Sequence, residues 1–405
     1  MGMAVLVNTV LDSQLIYAMS VLQLPQGTLD ALDRRWRAFL WSGDEQVHGA
    51  QCLVAWEKVC QEMEQGSMGI KDITAENKCL LLKLLHRLHN PGDSAWARWV
   101  RERVDLATLT GDVAGPHWRD LVELLPLYRA VTSCVVGDGA STCFWEDRWL
   151  DCGRLKEVFP LLHSHAISSE VSVACVLRDG VRAHLMPRLT AAAREELAKL
   201  SPLLDDVLLS EEEDRRTSPL SGPENVLRAG PIYKMLMKTT GAPLCAFSTF
   251  VWQNRASPLI QFFAWLLVQE KAQCKTNLLL KNIVDDARCE LCNQADETCD
   301  HLIFTCPAAA GIWSALGVNT EGCSVSRLWT VPCPTTLPSK HSSVYILLVC
   351  WQLWKQRNNF VFNGVPPSIS RFWSVCKEDA WLWCQRWPVV DRVLAEVWWS
   401  TFSSM

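Results

Sequence analysis

The sequence has no long uninterrupted hydrophobic run and no targeting segment at its start. Its longest uncharged apolar stretches, LIQFFAWLLV and VYILLVCWQLW, have about 10 to 11 residues, whereas a helix that spans a bilayer needs about 20. The first residues, MGMAVLVNTVLDSQ, place no basic residue before the apolar run, which a secretory signal requires. These absences predict an intracellular protein, in the nucleus or the cytoplasm, that does not enter a membrane. The 18 cysteines are then expected to be reduced thiols.

The sequence also lacks an excess of positive charge. Its 405 residues carry a net charge of −5, with an isoelectric point near 6.0. Nucleic-acid affinity comes largely from Lys and Arg side chains that displace counterions from phosphates. The composition therefore excludes a surface that attracts nucleic acid everywhere, and leaves room for a local contact.

Tyrosine is scarce: there are 4 tyrosines against 20 tryptophans. A platform that stacks nucleic-acid bases usually also uses Tyr and Phe, interleaved with Arg or Lys. Here the tryptophans lie in apolar stripes with helical spacing, so burial in helical cores is the ordinary expectation for them.

Several catalytic motifs are missing as well. The pair His86 and His89 lacks the glutamate of a metalloprotease helix and is typical of the polar edge of a helix. The sequence contains neither the G-x-S-x-G elbow of serine hydrolases nor the GxxxxGK[ST] loop of P-loop enzymes.

What the sequence does contain is helical periodicity over most of its length. It predicts a mainly α fold, made of helical segments with one small β-hairpin module and a small CCHC zinc knuckle. The hairpin is predicted in Val131–Trp145, because two β-rich runs flank Gly137, Asp138 and Gly139 and an Asp-Gly pair favours a tight turn.

Changes in composition divide the chain into five segments. Residues 1–112 are predicted to be helical, residues 113–180 to form the Trp-containing hairpin module, and residues 181–229 to form a helix and an acidic linker. Residues 230–320 contain the zinc module, and residues 321–405 are predicted to form the C-terminal helices. In the third segment the charged run Glu211–Arg216 favours a solvated linker.

The most informative stretch is CELCNQADETCDHLIFTC, residues 289–306, named here the zinc knuckle. By chance, a CxxC pair followed so closely by an HxxxxC pair is expected in about one chain in a hundred of this composition. Three thiolates and one imidazole form a closed tetrahedral set for a structural Zn²⁺ ion. The predicted ligands are Cys289, Cys292, His301 and Cys306.

Cys299 leaves an alternative open. It could replace His301 or Cys306 as a ligand, although it is too close to His301 for both to bind one ion without strain. Reduced thiols in a core or on the surface, without a metal, are the other interpretation of this stretch.

The helices before the knuckle are the candidate phosphate contact. Residues 231–288 carry seven Lys and Arg against three Asp and Glu, whereas the knuckle itself is acidic. Solvated helix faces are the more ordinary interpretation of these charges. The candidate nucleic-acid-binding residues are Lys271, Lys275, Lys281 and Arg288.

Six motifs in register resemble the C-terminal part of plant LINE-type (non-LTR) retrotransposon reverse transcriptases, which ends in the reverse-transcriptase zinc-binding domain. The first two are QLIYAMSVLQLP with DRRWRAFLWSG, and LVAWEKVCQEMEQGSMGIKDITAENKCLLLKLLHRL. VVGDGASTCFWEDRWL is similar to the family's GDG…FWxDxW motif, and FVWQNRASPLIQFFAWLLVQEKAQCKTNLLLKNI to the approach to the zinc domain. Glu297, Thr298, His301 and Leu302 match an ET…HL core, and WQLWKQRNNFVFNG matches W…WKxRNxxVF.

The resemblance implies a structural zinc ion and an ancestral role in handling RNA or DNA beside a reverse-transcriptase polymerase. The polymerase needs an aromatic-x-Asp-Asp turn to hold two metal ions. The pairs Asp205-Asp206 and Asp285-Asp286 lack the aromatic residue and are predicted to be a linker and a helix end. Neither an RNase H set, expected beyond the last helix, nor the endonuclease is found.

The sequence therefore predicts a non-catalytic, retroelement-derived fragment with a structural zinc-binding domain. Its partners would be RNA or DNA, bound weakly and locally, and a polymerase domain supplied by a separate or lost segment. The alternative is an orphan helical protein or interaction surface with no nucleic-acid role. An active RNA-directed DNA polymerase is the interpretation that the sequence favours least.

Overall fold

The protein is a mainly α molecule, as the sequence predicts. A computed structural model describes residues 2–90, 92, 94–238, 245–334, 337–392 and 402. It is 57% helical, and its strands have two or three residues each.

The α-helices in these ranges follow the predicted periodicity closely. The last helix of the C-terminal group predicted in residues 321–405 ends at Cys384, and residues 393–401 and 403–405 lie outside the described part. In chain order the helices are α1 Gly2–Leu6, α2 Asp12–Met19, α3 Gln26–Ser42, α4 Trp56–Val59, α5 Ile73–His89, α6 Ala95–Arg101, α7 Pro116–Val131, α8 Leu155–Val158, α9 Pro160–His163, α10 Val173–Asp179, α11 Ala191–Asp205, α12 Ala229–Lys238, α13 Ser248–Trp252, α14 Pro258–Val268, α15 Lys275–Leu279, α16 Pro307–Ala315, α17 Ser342–Asn363 and α18 Ile369–Cys384.

The strands form three small antiparallel ribbons. They are β1 Val104–Asp105 with β2 Thr110–Gly111, β3 Ser133–Val135 with β6 Arg215–Thr217, and β4 Arg148–Leu150 with β5 Gly153–Arg154. Short 3₁₀ segments cover Gly49–Gln51, Met63–Gln65, Val181–His184, Val325–Thr330 and Ser339–His341, and π-helical turns cover Val7–Leu11 and His301–Thr305.

The chain divides into two compact units, each built from separated stretches of sequence. The first unit contains residues 1–11, 31–72 and 241–405, and the second contains residues 12–30 and 73–240. The five segments predicted from composition stay a prediction.

In the second unit, α5 packs against α6, α7 and α12. Their apolar faces form one core, in which Leu85, Leu121 and Ile232 are fully buried. A second core in the same unit is formed by the four helices from α8 through α11 and by the tryptophan-rich segment around Trp145. Both cores follow from the helical spacing of apolar residues, which places one stripe of each helix away from water.

The segment around Gly137, Asp138 and Gly139 is not a hairpin, so that prediction is wrong. Ser133–Val135 pairs instead with Arg215–Thr217, about 80 residues later in the chain. The two-strand hairpin of this segment lies further on, where β4 and β5 pair across Asp151 and Cys152.

The loop at residues 137–139, named here the glycine loop, binds a buried carboxylate through its backbone N–H groups. One oxygen of Asp214 accepts hydrogen bonds from the backbone N–H groups of Gly137 and Gly139, each at 2.8 Å. Its other oxygen accepts from Ser141 N at 2.9 Å and from Thr142 Oγ1 at 2.8 Å. A Cβ at Gly137 would lie 2.2 Å from a backbone oxygen of Glu212, and Gly139 has φ of +71°, so both positions require glycine.

The same contacts correct the prediction of a solvated linker at Glu211–Arg216. Its first residues are exposed, but Asp214 is 5% exposed and Arg216 is 1% exposed. Arg216 forms a two-point ion pair with Asp147, the aspartate of the FWxDxW motif, with N–O distances of 2.7 and 2.8 Å. Arg129 Nε also lies 3.4 Å from Asp147. The FWxDxW motif therefore binds the end of the Glu211–Arg216 segment and holds it in the core.

In the first unit, α14 is the central apolar helix. Its Trp265 is fully buried and donates through Nε1 to the carbonyl of Gly66 at 2.8 Å. Phe263 packs against Trp351 and Trp354 of α17, and α17 packs against α18. This packing places the WKxRN motif of α17 beside the segment that contains the zinc knuckle.

The helical run at the start of the chain, Gly2–Met19, is long and apolar enough to cross a membrane by length and composition, and 22% of it is buried. It contains the π-helical turn Val7–Leu11 and the buried Asp12. One such run near an N-terminus is weak support for a membrane segment. The predictions of no membrane contact and of an intracellular location stay predictions.

Most of the tryptophans in the described ranges are buried or half-buried, in line with the expectation for a helical core. Ten of these are buried, including Trp145, Trp265 and Trp313. Among the described tryptophans, Trp96, Trp99 and Trp381 are exposed, at 36%, 50% and 49%.

Candidate metal centre

The first two candidate ligands lie in a tight loop. Cys289 N donates to Ala295 O at 2.9 Å, and Asn293 N donates to Cys289 O at 2.8 Å. Asn293 has φ of +55°, a left-handed conformation that asparagine tolerates better than most residues. The loop turns the chain back on itself between Cys289 and Cys292, so that both thiols face the same side.

The other two ligands are brought together by a π-helical turn. His301–Thr305 forms this turn, and Cys306 N donates to the carbonyl of His301 at 2.8 Å. A π-helical hydrogen bond joins residues five apart, which is the HxxxxC spacing. The turn ends at Cys306, and Pro307, which has no N–H to donate, begins α16.

The four ligand atoms converge. The Sγ atoms of Cys289, Cys292 and Cys306 and a ring nitrogen of His301 all lie within 4.8 Å of one another. Cys292 Sγ is 3.3 Å from His301 Nε2, while Nδ1 of that ring is 3.2 Å from Thr305 Oγ1. Zn–S bonds of about 2.3 Å and Zn–N bonds of about 2.0 Å in a tetrahedron require ligand separations a little under 4 Å.

The set therefore fits a zinc ion. Cys289 and Cys306 are fully buried, His301 is 6% exposed and Cys292 is half-buried. Thr305 orients the imidazole through its second nitrogen, a common arrangement for a metal-bound histidine. Four protein ligands fill the coordination sphere of zinc, which is the arrangement of structural rather than catalytic sites.

Cys299, the alternative ligand, lies outside this group. Its Sγ is 3.6 Å from Sγ of Cys274, and both residues are buried. The hydrogen bond from Cys299 lowers the pKa of Cys274, against the effect of burial. No local pattern indicates this thiol pair, because the two cysteines are 25 residues apart.

The knuckle is tied to the rest of its unit by two acidic side chains. Asp300 accepts from Val325 N at 2.6 Å and from Ser324 Oγ at 3.2 Å. Glu297 forms a two-point ion pair with Arg357 of α17, with Oε2 accepting from Nε at 3.0 Å. Glu297 belongs to the ET…HL motif and Arg357 to the WKxRN motif, but nothing in the sequence indicated that these two residues pair.

The four candidate nucleic-acid residues differ in their exposure to solvent and in the partners that their charged groups contact. Lys271 and Arg288 are exposed. Lys281 Nζ donates to the carbonyl of Ala50 at 2.7 Å, and burial, followed by the charge of Lys271, lowers its pKa. Lys275 is 13% exposed and forms an ion pair with Glu290 at 2.6 Å. The structure thus leaves Lys271, Lys281 and Arg288 as cations that face solvent at least in part.

Comparison with known proteins identifies the domain. Residues 229–313 match the family model described as zinc-binding in reverse transcriptase. The matched range contains all four candidate ligands. Residues 229–313 are therefore a reverse-transcriptase zinc-binding domain, and zinc is its metal.

Two plant relatives are similar to longer stretches of the chain. A putative ribonuclease H protein of Arabidopsis thaliana is 24% identical over 326 residues, which are 77% of this chain and 51% of that protein. An uncharacterized mitochondrial protein of the same plant is 28% identical over 141 residues, 33% of this chain and 91% of that protein. The chain spans about half the length of the first relative. These matches confirm the predicted resemblance to plant retroelement proteins.

Proposed function

We propose that this chain is a non-catalytic, retroelement-derived module that helps to hold RNA or DNA beside a polymerase domain supplied by a separate or lost segment. The observation that carries the proposal is the closed CCHC set inside a reverse-transcriptase zinc-binding domain. A filled coordination sphere leaves no position for a substrate or for an activated water. The zinc ion, when bound, supplies folding free energy to the knuckle.

The name of the first relative raises ribonuclease H activity as a second candidate. Hydrolysis of this type uses carboxylates that hold two metal ions about 4 Å apart. Among the described residues, one group of three or more metal-ligating side chains converges, and that group is the CCHC set. This arrangement favours a structural role over hydrolysis.

A direct assay tests the non-catalytic role. The full chain, loaded with zinc, is incubated with an RNA–DNA hybrid, and separately with a primed template and nucleotides, in Mg²⁺ and in Mn²⁺. We expect neither cleavage nor extension. Either activity, if it co-purifies with the chain and is absent from a mock preparation, would show that the proposal is wrong.

The nucleic-acid role is supported by charge near the knuckle. Lys271 and Lys281 are close enough for the charge of one to affect the other, and Arg288 lies one residue before the first zinc ligand. Phosphates bind Lys and Arg side chains with release of counterions, so two neighbouring lysines are suited to contact them. A contact of three cations gives weak binding, in keeping with the net charge of −5.

Salt-titrated binding measures this contact. We expect the triple variant Lys271→Gln, Lys281→Gln and Arg288→Gln to lower the salt slope of log K by about 2 for a single strand, since each phosphate contact contributes about 0.7. The matched control is Lys275→Gln, whose charge is already paired with Glu290. An unchanged slope in the triple variant, or no binding by the parent chain at low salt, would favour the alternative of an interaction surface without nucleic acid.

A further inference from the structure

Two thiols outside the metal centre are in contact with each other. Cys274 immediately precedes α15, and Cys299 lies in the knuckle two residues before His301. Their Sγ atoms are 3.6 Å apart, and only 1% and 4% of the two residues is exposed. The metal set consists of four other residues, so a structural zinc ion leaves these two thiols unused.

The backbone that follows Cys274 is held against the knuckle. Thr276 donates to the carbonyl of Glu297 from its backbone N at 3.2 Å and from Oγ1 at 3.0 Å. Lys275 N donates to the carboxylate of Glu297 at 2.9 Å, and that carboxylate is paired with Arg357. The two chain segments that carry the thiols are therefore kept side by side by contacts other than their own.

The turn that precedes Cys274 is fixed as well. Cys274 N donates to the carbonyl of Ala272 at 2.8 Å. Asn277 Nδ2 donates to the carbonyls of Glu270 and Ala272, each at 2.7 Å. Cys299 Sγ lies 3.9 Å from the carbonyl oxygen of Ala272 and 3.9 Å from Asn277 Nδ2, so its sulfur packs against this turn and faces Cys274.

The two sulfur atoms are close enough to form a bond. A disulfide has an S–S distance of about 2.05 Å, so each sulfur would move by less than about 1 Å from the present separation. The hydrogen bond from Cys299 lowers the pKa of Cys274, against the effect of burial. A thiolate attacks an oxidant more readily than a thiol does, which makes Cys274 the first sulfur to react.

We propose that Cys274 and Cys299 form a redox-active dithiol, which hydrogen peroxide converts into a disulfide while zinc stays bound. The Cys274 thiolate attacks one peroxide oxygen, the O–O bond breaks, and the sulfur becomes a sulfenic acid. The hydroxide that leaves takes up the proton that Cys274 has lost and becomes water. The Cys299 sulfur then attacks the sulfenic sulfur, so that the S–S bond forms and the S–O bond breaks. The departing oxygen takes the Cys299 proton, and one peroxide has been reduced to two waters.

Burial selects a small oxidant for this pair. A protein disulfide or oxidised glutathione must bring its own sulfur into line with the attacking thiolate, which the burial of both residues prevents. Hydrogen peroxide is little larger than water. The thiolates of Cys289, Cys292 and Cys306 bind zinc when it is present, so the metal protects them from the same oxidant.

The disulfide would lock the zinc domain. It closes the loop of residues 274–299, which contains the ligands Cys289 and Cys292. Closing a loop of this length mainly restricts the opened chain, so ligands that release the metal stay near it. Zinc should therefore leave the oxidised form more slowly. In a reducing compartment such bonds are transient and serve redox sensing.

The test uses the full chain loaded with zinc. It is treated with a limiting dose of hydrogen peroxide, and the remaining thiols are then alkylated under denaturing conditions. Mass spectrometry of the peptides, with and without reduction, identifies the bonds. We expect one pair of peptides joined through Cys274 and Cys299, with the zinc content unchanged.

Cys350 is the internal control, because it is also fully buried and burial raises its pKa. We expect the thiols of the pair to be lost about tenfold or more faster than the Cys350 thiol, since the thiolate is the reactive form. Cys274→Ser and Cys299→Ser should each abolish the cross-link. Zinc content and melting temperature show that both variants are folded.

Zinc release tests the lock. A chelator is added to reduced and to peroxide-treated chains, and the treated parent should lose zinc several-fold more slowly, whereas treatment should make no difference in Cys274→Ser. Equal rates in the two forms of the parent would overturn the lock. Peroxide that expels zinc and joins its ligands before Cys274 and Cys299 are linked, or that oxidises Cys350 equally fast, would show that the dithiol is not redox-active.

Discussion

At the scale of single residues, Glu297 and Arg357 join the zinc knuckle to a helix 60 residues further along the chain. Glu297 is fully buried and Arg357 is 2% exposed. Glu297 Oε1 also accepts from Lys275 N at 2.9 Å, so one carboxylate holds the knuckle, the start of α15 and α17 together. A buried charge is tolerated only when its partner and its hydrogen bonds are present.

We therefore expect Arg357→Met to be strongly destabilising. It would leave Glu297 charged, buried and unpaired, and removal of one member of a buried ion pair lowers the free energy of unfolding by about 3–5 kcal/mol. Urea unfolding of the zinc-loaded chain measures this, and zinc retention should fall in parallel.

The matched control is Arg255→Met. Arg255 pairs with Asp391 at 3.2 Å but its side chain is 51% exposed, so its loss should change the free energy of unfolding by less than about 1 kcal/mol. Equal losses of unfolding free energy in the two variants would show that the buried Glu297–Arg357 pair is no more stabilising than an exposed one.

At the scale of elements, the glycine loop of the GDG motif shows why sequence signals for turns are ambiguous. Asp-Gly and paired glycines favour a hairpin turn, and they equally favour a loop whose backbone N–H groups converge on an anion. The choice depends on Asp214, 75 to 77 residues later in the chain, whose carboxylate fills the loop. Local sequence does not contain that information.

The structure makes Asp214, not the motif's own Asp138, the more important aspartate. We expect Asp214→Asn to lower the free energy of unfolding by about 3 kcal/mol or more, because an amide NH₂ would face backbone and hydroxyl donors and leave some unsatisfied. Asp138 is half-buried and accepts one hydrogen bond that is open to solvent, from Ala140 N at 2.9 Å, so Asp138→Asn should change the free energy of unfolding by about 1 kcal/mol at most. Thermal and urea unfolding of both variants give the comparison. The reverse order would mean that the motif's aspartate has a role beyond the fold.

At the scale of the whole molecule, the zinc ion belongs to one of two compact units. Removal of zinc by a strong chelator should therefore expose backbone amides of the knuckle and of α16 and α17 to hydrogen exchange. The core around α5 and α7, in the other unit, should keep its protection, since its buried contacts do not involve the metal.

The double variant Cys289→Ser with Cys292→Ser should reproduce this pattern and lose the zinc ion, about one per chain. Cys323→Ser, a half-buried cysteine of the same unit outside the ligand group, should retain both zinc and protection. Unchanged metal content in the double variant would show that the CCHC set is not the zinc site.

The sequence by itself determined the features that depend on short spacing. Helical periodicity gave the mainly α class, and the CxxC and HxxxxC spacings gave the ligand set, because a tight loop and one π-helical turn bring those residues together locally. Only the tertiary structure decided which partners lie far apart in the chain: Asp214 in the glycine loop, Arg357 on Glu297, and Cys274 against Cys299. It also decided which tryptophans remain in contact with water. Backbone geometry determines which contacts residues a few positions apart can make, whereas pairing across tens of residues depends on how the helices pack.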